Sequence, residues 1–467
     1  MQYKYGVLTN TSIASFMALL DSNIVLISLP TIIRELPGTP TADAIWIIMG
    51  YMLMIATILL AIGRLADIYG RIRLYNIGFA IFTVGSGLCS ISINGTSLVF
   101  FRLIQGVGGA LIFANGTAII TDTFPPAERG RALGINQVGG VTGSVVGLVL
   151  GGVLSATLGW RSIFWINIPF GAFATIWAYS KLKELSVKSK GERPDLVGMS
   201  LFGMGLTLFL LGLVFGSVSG WAPTEVALII SGLLLVVAFV FVEGRVGSPM
   251  MDLKLFKIKE FSAGIFSNLL ASITRGSVSF VLVFYFQGVL LLDAFTAGVM
   301  LIPFSVAFVI FGPISGYLSD KYGARRFATA GMAISAVAFV VFSLLPLGAP
   351  YSIFVVPMIL TGVGGGLFLS PNIASIMNSV PIIRRGIASG ISSTLVNTGM
   401  LLSLGISFAI MASSVPLELL QNIFAGIPVP SGAINLQLFV EAMHRIFLLM
   451  AVLSAVAAIT SFLWGGK

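Results

Sequence analysis

Of 467 residues, 57% are hydrophobic and only 9% charged, and the mean hydropathy is +1.03. A water-soluble domain carries about 25% charged residues, so lipid rather than water must surround most of this chain. One cysteine, Cys89, and one histidine, His444, exclude an internal disulfide and a Cys/His metal cluster. No Walker-type phosphate loop occurs, so no nucleotide-hydrolysing motor is expected.

At about 20 apolar residues per crossing, fourteen transmembrane helices are predicted. They fall at 7–28, 44–62, 74–93, 97–120, 132–156, 162–180, 196–216, 224–242, 261–286, 294–315, 327–347, 352–374, 387–412 and 444–463. The expected fold class is therefore an all-α polytopic membrane protein. The first residues show no cleavable leader pattern, so the first apolar run is expected to remain a span. The stretch 413–443 has room for a short interfacial helix.

The net charge of +9 would suit a nucleic-acid binder, but its distribution argues otherwise. With the N-terminus inside, 21 of the 26 lysines and arginines fall in cytoplasmic segments. Arg34, Arg161 and Arg445 fall outside, and Arg102 and Arg275 lie within spans. The bias predicts both termini on the cytoplasmic side of the cell membrane. No nucleic-acid partner is expected.

A long-period repeat organises the chain. Gly63, Asp67, Tyr69, Gly70 and Arg73, in a charged stretch read as a loop between spans 2 and 3, recur at an offset of 253 as Gly316, Asp320, Tyr322, Gly323 and Arg326. Gly106-Val-Gly-Gly in span 4 answers to Gly362-Val-Gly-Gly in span 12, at an offset of 256. Arg129-Gly130 answers to Arg385-Gly386 at the same offset. The reading is two parallel six-helix halves, 1–180 and 261–467, with a linker at 181–260 holding two extra spans. Two halves related by an axis along the membrane normal suit a rocking carrier with its site near the bilayer midplane.

Four motifs carry a resemblance to the major facilitator superfamily, and more narrowly to its fourteen-span drug:proton antiporters. They are Leu20-Asp21-Ser-Asn-Ile-Val-Leu-Ile-Ser-Leu-Pro30, the stretch Gly63–Arg73, Leu98-x-x-x-Arg102-x-x-Gln105-Gly106-x-Gly108, and Gly143-Ser-Val-Val-Gly147-Leu-Val-Leu-Gly151-Gly152. Trp160-Arg161-x-x-Phe164-x-x-Asn167 follows as in that family. The chain departs from the family pattern at Leu148, where the motif carries Pro, at Leu26, where it usually carries Asn, and at Asn23, where it usually carries Thr. The resemblance implies an exporter of hydrophobic or cationic small molecules that exchanges them for protons by alternating access. It implies no cofactor, and a monomer working in lipid.

Asp21 is the only carboxylate read within a span. At 1.5 Å per residue it lies roughly 20 Å from the inner end of span 1, and Arg102 roughly 8 Å from the outer face. In a core of about 30 Å the two share a level, and Arg275 reaches it too. Burial favours a neutral carboxyl and a nearby guanidinium favours the ionised one. A changing Asp21–Arg102 distance would therefore couple proton uptake and release to transport. The structural alternative is a permanent pair that fixes helix packing. Arg275 could instead anchor an anionic group, which opens a second reading: a carrier for a defined metabolite, an anionic one included, with Arg275 or Arg102 as its clamp.

Gly63, Asp67, Gly70, Arg71 and Arg73, with Asp320 and Arg129, are read as a conformational latch, with Asp67 pairing to Arg129 or Arg131. Gly143, Gly147 and Gly151 share one helix face with Gly139, where small side chains admit a close neighbour. The resemblance adds that Gly143, Gly147, Gly151 and Gly152 seal the outer side. Asn23, Gln105, Asn115, Asn136, Gln137, Arg275, Gln287 and Asn372 are candidates for the wall of a substrate cavity.

Overall fold

Lipid offers the backbone no hydrogen-bond partner, and a helix satisfies its peptide groups within one segment. The computed structural model describes residues 3–36, 41–184, 195–246, 249–381, 384–428 and 433–464, and every regular element among them is helical. The elements before the extra spans are α1 (Tyr3–Glu35), α2 (Thr41–Tyr69), α3 (Arg71–Ser90), α4 (Gly95–Thr123), α5 (Pro126–Leu158), α6 (Ser162–Trp165) and α7 (Asn167–Lys181). The extra spans are α8 (Leu196–Ser219) and α9 (Pro223–Glu243). Then come α10 (Lys259–Phe284), which runs into a π-helical turn at Tyr285–Val289, α11 (Ala294–Met300), α12 (Ile302–Tyr322), α13 (Ala324–Phe342), α14 (Tyr351–Ser379), α15 (Arg385–Ser414), α16 (Leu417–Ala425) and α17 (Ala433–Trp464). Thirteen described elements are long and apolar enough to cross a membrane, and α2 adds a shorter apolar stretch, Asp43–Leu59. Each predicted crossing has its helix.

The stretch read as a charged loop is not a loop. α2 continues through Tyr69, one residue breaks it, and α3 begins at Arg71. α12 and α13 meet in the same way across Gly323. The breaking residues have φ of 103° at Gly70 and 91° at Gly323, a region that glycine enters without a Cβ penalty. Hydropathy could not reveal this, because a helix that projects past the hydrocarbon keeps its hydrogen bonds while its side chains become charged. The helix expected in 413–443 is α16. It buries Leu420, Ile423 and Phe424, and Phe424 stacks on Phe284 at 4.0 Å.

The chain forms two compact units. The first is Met1–Thr207, Leu234–Met251 and Asp293–Gly298; the second is Leu208–Leu233, Asp252–Leu292 and Val299–Lys467. Inside each, the sequence repeat reappears as packing. A Cβ on Gly106 would stand 2.7 Å from the Tyr51 carbonyl and 2.8 Å from Met54 Cβ. Its counterpart Gly362 meets the Phe304 carbonyl and Ala307 Cβ, both 253 residues on from the first pair. Gly78 sits against Gly108 and Ile112, as Gly331 sits against Gly364 and Phe368.

The glycine face of α5 lies against α1. Gly143 meets the Phe16 carbonyl, Gly147 the Leu20 carbonyl at 2.7 Å, and Gly151 the Ile24 carbonyl at 2.9 Å. Gly152 faces the other way and meets Ala294 and Phe295 of α11, whose Gly298 meets the Leu148 carbonyl. With Leu148 in place of proline, α5 runs unbroken. In the second unit Gly399 repeats the Gly143 contact against the Leu269 carbonyl at 2.8 Å. Beyond it, serines replace the glycines: Ser277 Oγ lies 2.7 Å from Ser403 Oγ and 2.9 Å from Ser407 Oγ.

Filling the Gly147 contact has no soft outlet, because the two nearest atoms, the Leu20 carbonyl oxygen and Cα, belong to backbone. Gly147→Val should lower stability by about 1–3 kcal/mol, read as a lower unfolding midpoint in detergent. Gly134→Ala, where a Cβ meets open space, should leave the midpoint unchanged or raise it.

Candidate functional site

Five helices of the first unit bring polar groups to one point, four of them through side chains and one through a backbone carbonyl. α1 supplies Asp21, α4 supplies Arg102 and Gln105, α3 supplies Ser86, α7 begins with Asn167, and α2 offers the Ile47 carbonyl. Arg102 and Gln105 are three residues apart, which puts them on one helix face. Asn94 and Ser97 form a capping box that fixes the start of α4.

Arg102 Nη1 donates to Asp21 Oδ2 at 2.6 Å and to Gln105 Oε1 at 2.6 Å, while its Nε donates to the Ile47 carbonyl at 3.1 Å. Gln105 Nε2 donates to Asp21 Oδ1 at 2.9 Å and to Ser86 Oγ at 2.6 Å. Asn167 Nδ2 donates to Asp21 Oδ1 at 2.7 Å and to Ser86 Oγ at 3.1 Å. The guanidinium carbon lies 4.3 Å from the Tyr51 ring centre, a cation–π distance. Asp21 and Arg102 are both 0% exposed.

The carboxylate thus accepts from three side chains, and one of them neutralises it. Such a pair gains little net stability over an apolar core, yet losing one partner strands a buried charge. One guanidinium nitrogen, Arg102 Nη2, is buried without a partner among the described residues. The site is therefore a charge pair in a neutral amide cage, closed to solvent.

Other candidates fall elsewhere. Gln105, expected on a cavity wall, is fully buried and belongs to the acid's cage. Asn23 bonds back to the Leu19 carbonyl on its own helix, and Asn115 to that of Leu111. Asn136 accepts from Ser15 Oγ at 3.0 Å, Gln137 is exposed, Gln287 is buried in the π turn, and Asn372 donates to the Gly264 carbonyl. In the second unit, Arg275 reaches the Met400 sulfur at 3.7 Å and the Phe308 ring at 5.6 Å.

Of the latch set, Gly70 makes the helix break and Arg73 is exposed. Gly63 falls within α2, and the side chains of Asp67, Arg129, Arg131 and Asp320 lie outside the described residues. Arg71 makes a two-pronged contact with Asp122 at the end of α4, both oxygens at 2.8 Å. Glu184, past α7, accepts from the backbone amides of Arg71 and Ile72 and so caps α3. Sequence reasoning missed Asp122, Glu184, Ser86 and Asn167. Asn167 lies in the Trp160–Asn167 motif, and the signal for it is an amide opening an apolar span. Ser86 is one small residue among many and carried none.

A helical bundle built twice, with a charge pair sealed inside one copy, has the architecture of a secondary carrier. Residues 11–253 and 264–466 match the profile of the Major Facilitator Superfamily, and the chain belongs to it as a multi-pass membrane transporter, not an enzyme. The chain is 32% identical over 415 residues to the riboflavin transporter RibZ of Clostridioides difficile, covering 89% of this chain and 90% of that protein. It is 30% identical over 424 residues to the multidrug resistance protein Stp of Mycobacterium tuberculosis, covering 90% and 78%. A crystal structure of an auto-inhibited POT-family peptide transporter superposes with a TM-score of 0.71 over 99% of this chain and 96% of that one, at 15% identity, and so shares the fold.

Arg102→Met should destabilise the protein by about 3–5 kcal/mol, because the buried Asp21 loses its counter-ion and one of its three hydrogen-bond donors. The double variant Asp21→Leu/Arg102→Met should recover most of that loss. Unfolding midpoints of the four proteins in one detergent decide it; a double variant as unstable as the sum of the singles would contradict the pairing.

Proposed function

We propose that this transporter exports hydrophobic or cationic small molecules in exchange for protons, with Asp21 as the proton carrier. The observation that carries the reading is the cage around Asp21: a sealed carboxylate held by one guanidinium and two amides. Intramembrane ionisable groups are expensive, and they mark proton and substrate pathways. A change in the Asp21–Arg102 distance during the cycle would couple proton uptake and release to transport. The second unit does not repeat this chemistry, since Thr274, Met358 and Thr361 stand at the positions equivalent to Asp21, Arg102 and Gln105. A group present in one half serves coupling better than one the scaffold needs twice. The similarity to a multidrug resistance protein supports export.

In this reading both termini are cytoplasmic, as the lysine and arginine distribution supports. Gly152 and Gly298, where α5 and α11 meet, form the outer seal, and Arg71–Asp122 braces the inner ends of α3 and α4 in one state of the cycle. A second reading, a carrier for a defined metabolite, draws its support from the similarity to a riboflavin transporter and from Arg275.

Purified protein in liposomes under an imposed pH gradient should accumulate a lipophilic cationic dye. Asp21→Asn should accumulate at least ~10-fold less while still exchanging dye for dye at equal pH. Undiminished accumulation by Asp21→Asn would remove the proton role. Transport of riboflavin with no dye flux would favour the metabolite carrier.

A further inference from the structure

The second unit is hollow where the first is filled. Asp21, Tyr51 and Phe82 have Thr274, Phe304 and Ser335 as counterparts at an offset of 253, and Gln105 has Thr361 at 256. In the first unit Asp21, Gln105 and Arg102 meet in the sealed cage, with the Arg102 guanidinium over Tyr51. In the second, Thr274, Phe304, Ser335 and Thr361 line a cavity of about 30 Å³, together with Arg275. The repeat has kept the place and emptied it.

What remains there is a cation without an anion. Arg275 sits near the middle of the crossing formed by α10 and its π turn. A guanidinium has five N–H donors, yet among the described residues Arg275 reaches only a thioether sulfur and an aromatic face. Neither carries the charge that Asp21 supplies to Arg102. The Ser335 hydroxyl is a second free donor: the residue is 5% exposed, lines the same cavity, and makes no hydrogen bond among the described residues. Thr274 and Thr361 spend their hydroxyls on carbonyls of their own helices, and Asn268, which also lines the cavity, gives its Nδ2 to Ser392 while its Oδ1 has no partner among the described residues. An unbalanced guanidinium deep in a membrane protein calls for a partner, and no fixed carboxylate among the described residues supplies one. Space sets the partner's size. One water needs about 10–15 Å³ of such room, so the cavity takes two or three waters, a monatomic anion or a carboxylate head.

We propose that this cavity is a seat for a small monovalent anion, held by Arg275 and Ser335. Its occupant is either a free halide or the acid group of a transported molecule. The inference goes beyond proton coupling and stands without it, because the seat is tested by equilibrium binding rather than by flux. Failure of Asp21 as a proton carrier would leave it intact.

The test heats the full-length protein in detergent, in sulfate at constant ionic strength, while bromide or, separately, benzoate replaces part of the sulfate. Ligands that bind the folded state raise its midpoint, in proportion to the logarithm of concentration once the ligand exceeds its Kd, here by about 2–4 °C. A shift with bromide assigns the seat to a free ion. A shift with benzoate alone assigns it to the acid group of a cargo. Arg275→Leu should abolish either shift, and Ser335→Ala should weaken the apparent affinity. Thr361→Glu, which puts a fixed carboxylate on the cavity wall, should give folded protein blind to both anions, and so carries the test if Arg275→Leu does not fold. No shift in the wild type, or equal shifts in the wild type and in Thr361→Glu or Arg275→Leu, overturns the proposal.

Discussion

Lipid removes water as a partner for buried polar groups, and most of this molecule follows from that constraint. The backbone meets it by becoming helix throughout the described residues. Side chains meet it by finding one another, and the Asp21–Arg102 pair is the most demanding case. Five helices must arrive together for it to be satisfied, so the pair and the packing of the first unit are one object. Glycines make that convergence possible. Gly106 brings α4 onto α2, and Gly143, Gly147 and Gly151 bring α5 onto α1, at distances where no side chain fits.

Duplication explains the scaffold, and divergence marks the chemistry. The glycine contacts at 78/108 and 331/364, and at 106 and 362, are the same contacts made twice. The polar clusters are not. One unit encloses an acid with its base and two amides, while the other keeps hydroxyls, a cavity and an arginine with no acid among the described residues. The α5 glycines likewise become the serines of α15, bonded to Ser277. In the proposed cycle the halves divide the labour, the first handling the proton and the second presenting a positive group.

The architecture was legible because lipid imposes so plain a code. Apolar length placed the crossings, and the paired glycine stretches exposed the repeat. Depth counting put Asp21 and Arg102 at one level, where the structure joins them at 2.6 Å. The misses share a cause. Helix continuing beyond the hydrocarbon is invisible to hydropathy, so Gly63–Arg73 read as a loop. Neutral partners carry no compositional signal, so Ser86 went unseen and Gln105 was placed on a cavity wall rather than on the acid. Contacts such as Arg71–Asp122 and the Glu184 cap join residues 51 and 113 positions apart, and nothing in the local pattern links them.

The central claim is that Asp21 changes protonation inside the folded protein, rather than serving as a permanent counter-ion. Infrared difference spectroscopy of the purified transporter on acidification, wild type beside Asp21→Asn, addresses this directly. The account predicts a protonated-carboxyl C=O band that appears in the wild type, shifts in heavy water and is missing from Asp21→Asn. Identical difference spectra for the two proteins would mean that Asp21 stays ionised beside Arg102, and the pair would then be a structural brace.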